Sequence, residues 1–189
     1  MHAFLLSAAV IFVAELGDKS QLMALTFATR FRTVPVLIGI TAATAIVHAV
    51  SVGIGAALGA AIPTRPISVV AAIAFVGFGL WTLRGDQLTD EDHERAAAVS
   101  DRNAVLAVGG VFFLAELGDK TMLATITLAT KEGLFGTWAG STVGMVAADA
   151  LAIVVGRQLG ARLPERVIRI GAASAFFAFA VVLFVDALG

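Results

Sequence analysis

Two short stretches hold most of the residues that could do chemistry in this sequence. They read Glu15-Leu16-Gly17-Asp18-Lys19-Ser20 and Glu116-Leu117-Gly118-Asp119-Lys120-Thr121. Each supplies two carboxylates, an ammonium and a hydroxyl. Carboxylate and hydroxyl oxygens are hard donors that suit Mn2+, Ca2+ or Mg2+ and suit Cu+ or Zn2+ poorly. On an unbroken helix, Glu15, Asp18 and Lys19 fall three and four positions apart and share one face, continued by Leu22 and Thr26. The second copy repeats this with Glu116, Asp119, Lys120, Leu123 and Thr127. Ser20 and Thr121 point away from that face unless the helix deforms. Gly17 and Gly118, between the two acids, are where a deformation would expose backbone carbonyls as further ligands.

A single copy could be a self-neutralising ion pair that fixes helix packing. Two copies that meet cannot be, because Glu15, Asp18, Glu116 and Asp119 face only Lys19 and Lys120. The two uncompensated negative charges are costly in a low dielectric unless carboxyl groups take up protons or a divalent cation enters. Alternation between those states is a cation/proton exchange cycle. Glu15 and Glu116 are then the central ligands, and Asp18 and Asp119 complete the shell directly or through water. Ser20 and Thr121 add neutral oxygens, while Lys19 and Lys120 hold the aspartates in place.

The elements that carry these motifs must lie in lipid. Of the 189 residues, 59% are hydrophobic and 14% charged, and the mean hydropathy is +0.93, too apolar for a soluble domain of this size to cover its own surface. Cysteine is absent, which excludes disulfides and thiolate metal sites. A spanning helix needs about 20 mostly apolar residues. Six segments qualify, at 3–29, 34–61, 66–84, 103–130, 134–158 and 166–187. The first and fourth carry the acidic motifs, and ionisable groups at such depth call for a function. The amino terminus lacks a basic region and a small-residue cleavage site, so no cleavable leader is expected.

The chain repeats itself at a shift of 101 residues without a gap. Glu15 to Lys19 fall on Glu116 to Lys120, Gly39 and Thr41 on Gly140 and Thr142, Gly55 on Gly156, Pro63 on Pro164, and Ala74-Phe75 on Ala175-Phe176. The expected organisation is a three-helix repeat at 1–85, an acidic cytoplasmic linker at 86–102 and a second three-helix repeat at 103–189. An odd number of spans per half inverts the second half, and inverted repeats place a transported ion near the bilayer midplane where they meet. The fold class is thus an all-α integral membrane protein of six helices in two inverted halves.

Basic residues set the orientation. Arg30, Arg32, Arg84, Arg95, Arg102, Arg157, Arg162, Arg166 and Arg169 fall on one side, and only Arg65 and Lys131 on the other. Both termini are therefore expected outside the cytoplasm of a cell membrane. The linker acids Asp86, Asp90, Glu91, Asp92, Glu94 and Asp101 read as a solvated connection between the repeats.

The shift also aligns His48 with Asp149, each seven residues after Thr41 or Thr142. His48 reads as a hydrogen-bonded packing residue. Asp149, costlier to bury, reads as an acid behind the ligands or a proton relay. Glycines four apart, at Gly55 and Gly59, Gly136, Gly140 and Gly144, and Gly156 and Gly160, read as close helix packing rather than nucleotide binding. No nucleic-acid partner and no cofactor are expected, and the metal is cargo. A monomer suffices, although the glycine-rich faces could support a homodimer.

The doubled hexapeptide, each copy in the first helix of a three-helix half, resembles the membrane family once called uncharacterised protein family 0016. That family contains Golgi calcium/manganese transporters and bacterial manganese exporters. Both copies follow its Glu-Xaa-Gly-Asp-[Lys/Arg]-[Ser/Thr] pattern, and the resemblance covers nearly the whole chain. It implies divalent cation transport with manganese export favoured and Ca2+/H+ exchange as the alternative. An intramembrane aspartyl protease is the distant rival, disfavoured because such enzymes use two unlike aspartate motifs on adjacent helices. A metal sensor acting through the linker is a further rival.

Overall fold

A computed structural model describes residues 1–84, 94, 104–159 and 165–188. Among these residues every regular element is a helix. In chain order they are α1 (His2–Glu15), α2 (Lys19–Arg30), α3 (Thr33–Ala61), α4 (Thr64–Arg84), α5 (Ala104–Glu116), α6 (Lys120–Ala129), α7 (Leu134–Leu159) and α8 (Glu165–Leu188). Helices α3, α4, α7 and α8 are long and apolar enough to cross a membrane, and α1 and α5 are shorter apolar helices. Apart from Glu94, the expected acidic linker lies outside the described residues.

The two segments that carry the acidic motifs are each divided in two. Gly17 and Gly118 adopt φ of +75° and +79°, a left-handed conformation that costs any residue with a β-carbon. The amide of Asp18 donates to the carbonyl of Glu15 at 3.1 Å, and that of Asp119 to Glu116 at 3.2 Å, closing the same tight turn in both copies. The single helical face expected for Glu15, Asp18 and Lys19 is therefore not formed. Helix α1 stops at Glu15 and α2 begins at Lys19, with the turn between them.

Packing pairs elements from opposite ends of the sequence. Helix α1 lies along α7 and α5 along α3, α4 lies along α8, and α3 also meets α6 and α7. Most of these contacts map onto one another when each residue is exchanged for its counterpart 101 positions away. Gly39 backs onto the Val105 carbonyl and Gly140 onto the Phe4 carbonyl, approaches that a methyl group would block. Gly55 meets the Ile126 carbonyl in the same way, while its counterpart Gly156 meets the Leu25 side chain. Two residues touch their own counterparts: the Phe75 and Phe176 rings are 5.9 Å apart, and Thr44 Oγ1 is 3.4 Å from Met145 Sδ.

Helix directions follow from the contacts. Thr44 faces Met145 and His48 faces Thr142, so α3 and α7 run antiparallel. Ala3, Phe4 and Ala8 meet Gly136, Gly140 and Gly144 in order, so α1 and α7 run parallel. His2 Nδ1 lies 3.3 Å from Glu132, and Lys131 Nζ donates to Ser68 Oγ at 2.9 Å. The amino terminus, the α6–α7 connection and the start of α4 therefore share one face.

Two apolar clusters fill the interior. One gathers Met23, Ala24, Phe27, Val36, Ile40, Val108 and Phe112 from α2, α3 and α5. The other gathers Val10, Ile11, Ala14, Ala124 and Leu128 under the rings of Phe75, Phe78 and Phe176. Ala115 belongs to the first cluster and precedes Glu116, while Ala14 belongs to the second and precedes Glu15. The acidic residues lie where the two clusters end.

Candidate cation site

Four half-helix ends converge on the acids. Glu15 and Glu116 are the last residues of α1 and α5, and Asp18 and Asp119 are the caps before α2 and α6. An Asp in that position ordinarily accepts an amide hydrogen from its own first turn. Neither does so here, so both carboxylates remain directed at other groups. The positive ends of α2 and α6 favour negative charge at this point.

Glu15, Asp18, Glu116 and Asp119 are all buried, as are Ser20 and Thr121. The Ser20 hydroxyl sits against Glu15 Oε1 and 2.9 Å from Asp18 Oδ2. Thr121 Oγ1 donates to Glu116 Oε2 at 2.9 Å. The turn at each glycine thus brings round hydroxyls that an unbroken helix would have pointed away. Among the described residues, Glu15 Oε2 and Glu116 Oε1 have no hydrogen-bond partner.

The two copies meet. Lys120 of the second, 2% exposed, forms an ion pair with Asp18 of the first. Asp18, Glu116, Asp149 and Lys120 all lie within electrostatic reach of Glu15, and Asp119, Asp18 and Asp149 within reach of Glu116. Among the described residues, this neighbourhood thus holds five buried carboxylates and one buried ammonium, since Lys19 is only half-buried. Among the described residues, no three His, Asp or Glu side chains converge closely enough to hold a metal ion in this arrangement.

The remaining expected residues divide. Asp149 is fully buried, and neither of its oxygens has a hydrogen-bond partner among the described residues. His48 is buried with Nδ1 3.5 Å from Thr142 Oγ1. Thr41 is not brought to the acids: it stands on the exposed side of α3, its hydroxyl donating to the Leu37 carbonyl at 2.7 Å.

Gln21 escaped the sequence reading. Its Oε1 accepts from the Gly17 amide at 2.9 Å and its Nε2 donates to the Ala148 carbonyl at 3.0 Å, tying the first turn to α7 beside Asp149. A buried amide directly after the motif, in an otherwise apolar stretch, was the available signal.

Residues 3–90 and 104–189 match the family described as divalent cation/proton antiporter GDT1. The chain belongs to the GDT1 family. It is 30% identical to the "Putative manganese exporter" of Vibrio cholerae serotype O1, over 89% of this chain and 84% of that protein. It is also 30% identical to the GDT1-like protein sll0615 of Synechocystis, over 96% of both. Protein PAM71, chloroplastic, of Arabidopsis thaliana is 33% identical over 95% of this chain and 55% of its own length. No solved structure matches. GDT1 is a family of membrane transporters rather than enzymes, so the protease reading falls away.

Proposed function

We propose that this GDT1 member exports Mn2+ from the cytoplasm in exchange for protons, through one site built from both motif copies. The observation that carries this reading is the ion pair between Lys120 and Asp18, which joins the copies and leaves Glu15 and Glu116 facing the same cluster of negative charge. Glu15 and Glu116 take the ion, and Asp18 and Asp119 complete the shell directly or through water. Ser20 and Thr121, now in contact with the carboxylates, supply neutral oxygens. Loading requires Glu15 and Glu116 to turn from these hydroxyls toward a common point. Release leaves the acids uncompensated and draws protons in.

Six spans in two inverted halves, split by the linker at 86–102, are the arrangement under this proposal, with α1–α2 and α5–α6 each acting as one broken span. The antiparallel pairing of α3 with α7 supports it, because a two-fold axis lying in the membrane plane reverses the helices it relates. Asp149 serves as the acid behind the ligands. The choice of Mn2+ over Ca2+, and of export, draws on the name of the Vibrio relative. The termini are placed outside the cytoplasm by the arginine count alone.

Proteoliposome flux with Mn2+, Ca2+ and Mg2+ in competition tests the proposal. Mn2+ uptake that resists the other two ions is expected. Flux that Ca2+ suppresses as well as Mn2+ itself would turn the reading to Ca2+/H+ exchange.

A further inference from the structure

The repeat is symmetric in backbone but not in what lines its two ends. In the cluster of α2, α3 and α5, six positions are fully buried; Phe27 and Phe112 have apolar counterparts in Leu128 and Ile11, and the other four are Ala24, Val36, Ile40 and Val108. Their counterparts 101 positions away are Thr125, Thr137, Ser141 and Ser7, each also 0% exposed. Every one of the four apolar side chains is replaced by a hydroxyl.

These hydroxyls are not satisfied as membrane-helix hydroxyls usually are. Thr26, Thr41, Ser51, Thr127 and Ser174 all donate to the carbonyl one turn back, at 2.7 to 2.8 Å. Ser7 Oγ, Thr125 Oγ1 and Thr137 Oγ1 have no partner among the described residues, and only Ser141 reaches a carbonyl, that of Trp138 at 3.1 Å. Buried hydroxyls without a protein partner are costly unless something polar passes beside them.

They sit on three helices that pack on one another, α1, α6 and α7. Thr125 lies one turn beyond Thr121, whose hydroxyl holds Glu116. Ser7 and Ser141 sit on α1 and α7, which pack together through Phe4 on Gly140 and Ala8 on Gly144. Thr137 lies one turn before Ser141, near the start of α7 and the face where His2 meets Glu132. The counterpart set of Ala24, Val108, Ile40 and Val36 leads to the opposite face, where Phe31 packs on the apolar cluster beneath Arg30.

We propose that Thr125, Ser7, Ser141 and Thr137 line the polar route by which water and a hydrated divalent cation pass between the acidic pair and the face bearing the amino terminus. Ala24, Val108, Ile40 and Val36 form the dry seal on the other side. The inference rests on the reading of Glu15 and Glu116 as the cation site. It adds that the two access paths of this chain are chemically unequal.

The chain has no cysteine, so single thiols report water access directly. Eight variants are made, Ser7→Cys, Thr125→Cys, Thr137→Cys and Ser141→Cys against Ala24→Cys, Val36→Cys, Ile40→Cys and Val108→Cys. Each is reconstituted in liposomes after size-exclusion chromatography confirms a monodisperse fold. Reaction with the small cation 2-aminoethyl methanethiosulfonate is followed by mass. The four hydroxyl positions should react at least about tenfold faster, because only a thiol that water reaches ionises and attacks. Equal rates in the two sets, faster reaction in the apolar set, or an unreactive hydroxyl set would overturn the proposal. Thr125→Val combined with Ser7→Ala should cut Mn2+ flux several-fold, and unchanged flux would also count against it. Labelling reads water rather than transport. A labelled route in a protein that moves no Mn2+ would therefore sustain the route and remove only the cation reading.

Discussion

In the first motif copy the turn is pinned. Gln21 holds the Gly17 amide on one side and the Ala148 carbonyl of α7 on the other. In the second copy the counterpart is Met122, whose sulfur, a weak acceptor, lies 3.2 Å from the Gly118 amide. The carbonyl equivalent to that of Ala148 belongs to Val47 and is taken by Ser51 at 2.7 Å. The lysines differ too: Lys120 is buried against Asp18, and Lys19 is half-buried. A β-carbon on Gly17 would meet the Ile168 side chain at 3.3 Å, whereas one on Gly118 would meet nothing within 4 Å. Identical hexapeptide chemistry is thus mounted on one firm turn and one yielding turn.

The comparison can be broken in order of expected effect. Glu15→Gln and Glu116→Gln should each abolish flux in proteoliposomes while the protein stays folded, as the proposed single site requires both copies. A mutant of either that keeps wild-type rates would separate the copies. Lys120→Met should lower stability by about 3–5 kcal/mol, the cost of stranding Asp18 as an uncompensated buried charge. Lys19→Met should cost far less, and equal shifts in thermal unfolding in detergent would erase the asymmetry. Gln21→Met removes the tie between the first turn and α7 and should cost about 1–2 kcal/mol, for the lost bond to Ala148, whose carbonyl keeps its helical partner, and the weaker sulfur acceptor left for the Gly17 amide. Met122→Gln should be nearly neutral, because Val47 already has its partner. Gly17→Ala and Gly118→Ala both place a β-carbon at positive φ, at a cost of about 1–2 kcal/mol. Gly17→Ala should be the worse of the two by its contact with Ile168. Thr41→Val, on an exposed helix side, should stay within about 0.5 kcal/mol and leave flux unchanged.

Much of this was legible in the sequence because lipid leaves few choices. A long apolar run in that solvent is a helix, and the ends of α3, α4, α7 and α8 fall within about two residues of the hydropathy boundaries. The repeat told which residues are counterparts, Phe75 and Phe176 among them, but not that those two rings touch. Helical spacing alone misled at Glu15, Asp18 and Lys19, because the left-handed turn at Gly17 cancels the three-and-four periodicity. Gly17 and Gly118 marked where to doubt that periodicity. The crossed pairing of Lys120 with Asp18 was hidden, since it depends on how two turns face each other in space. The roles of Gln21 and of the buried hydroxyls were hidden for the same reason, being set by partners on other helices.

One flux measurement bears most directly on the claim that the two motifs form a single exchange site. Proteoliposomes with an acidic lumen are placed in neutral buffer containing Mn2+, and luminal Mn2+ and pH are followed together. Protons leave toward the neutral side, so exchange drives Mn2+ inward. The account predicts that luminal Mn2+ rises above its outside concentration as the lumen turns alkaline, and that Glu15→Gln and Glu116→Gln each remove both signals. Mn2+ entry that ignores the pH gradient, or that survives either substitution, would contradict it.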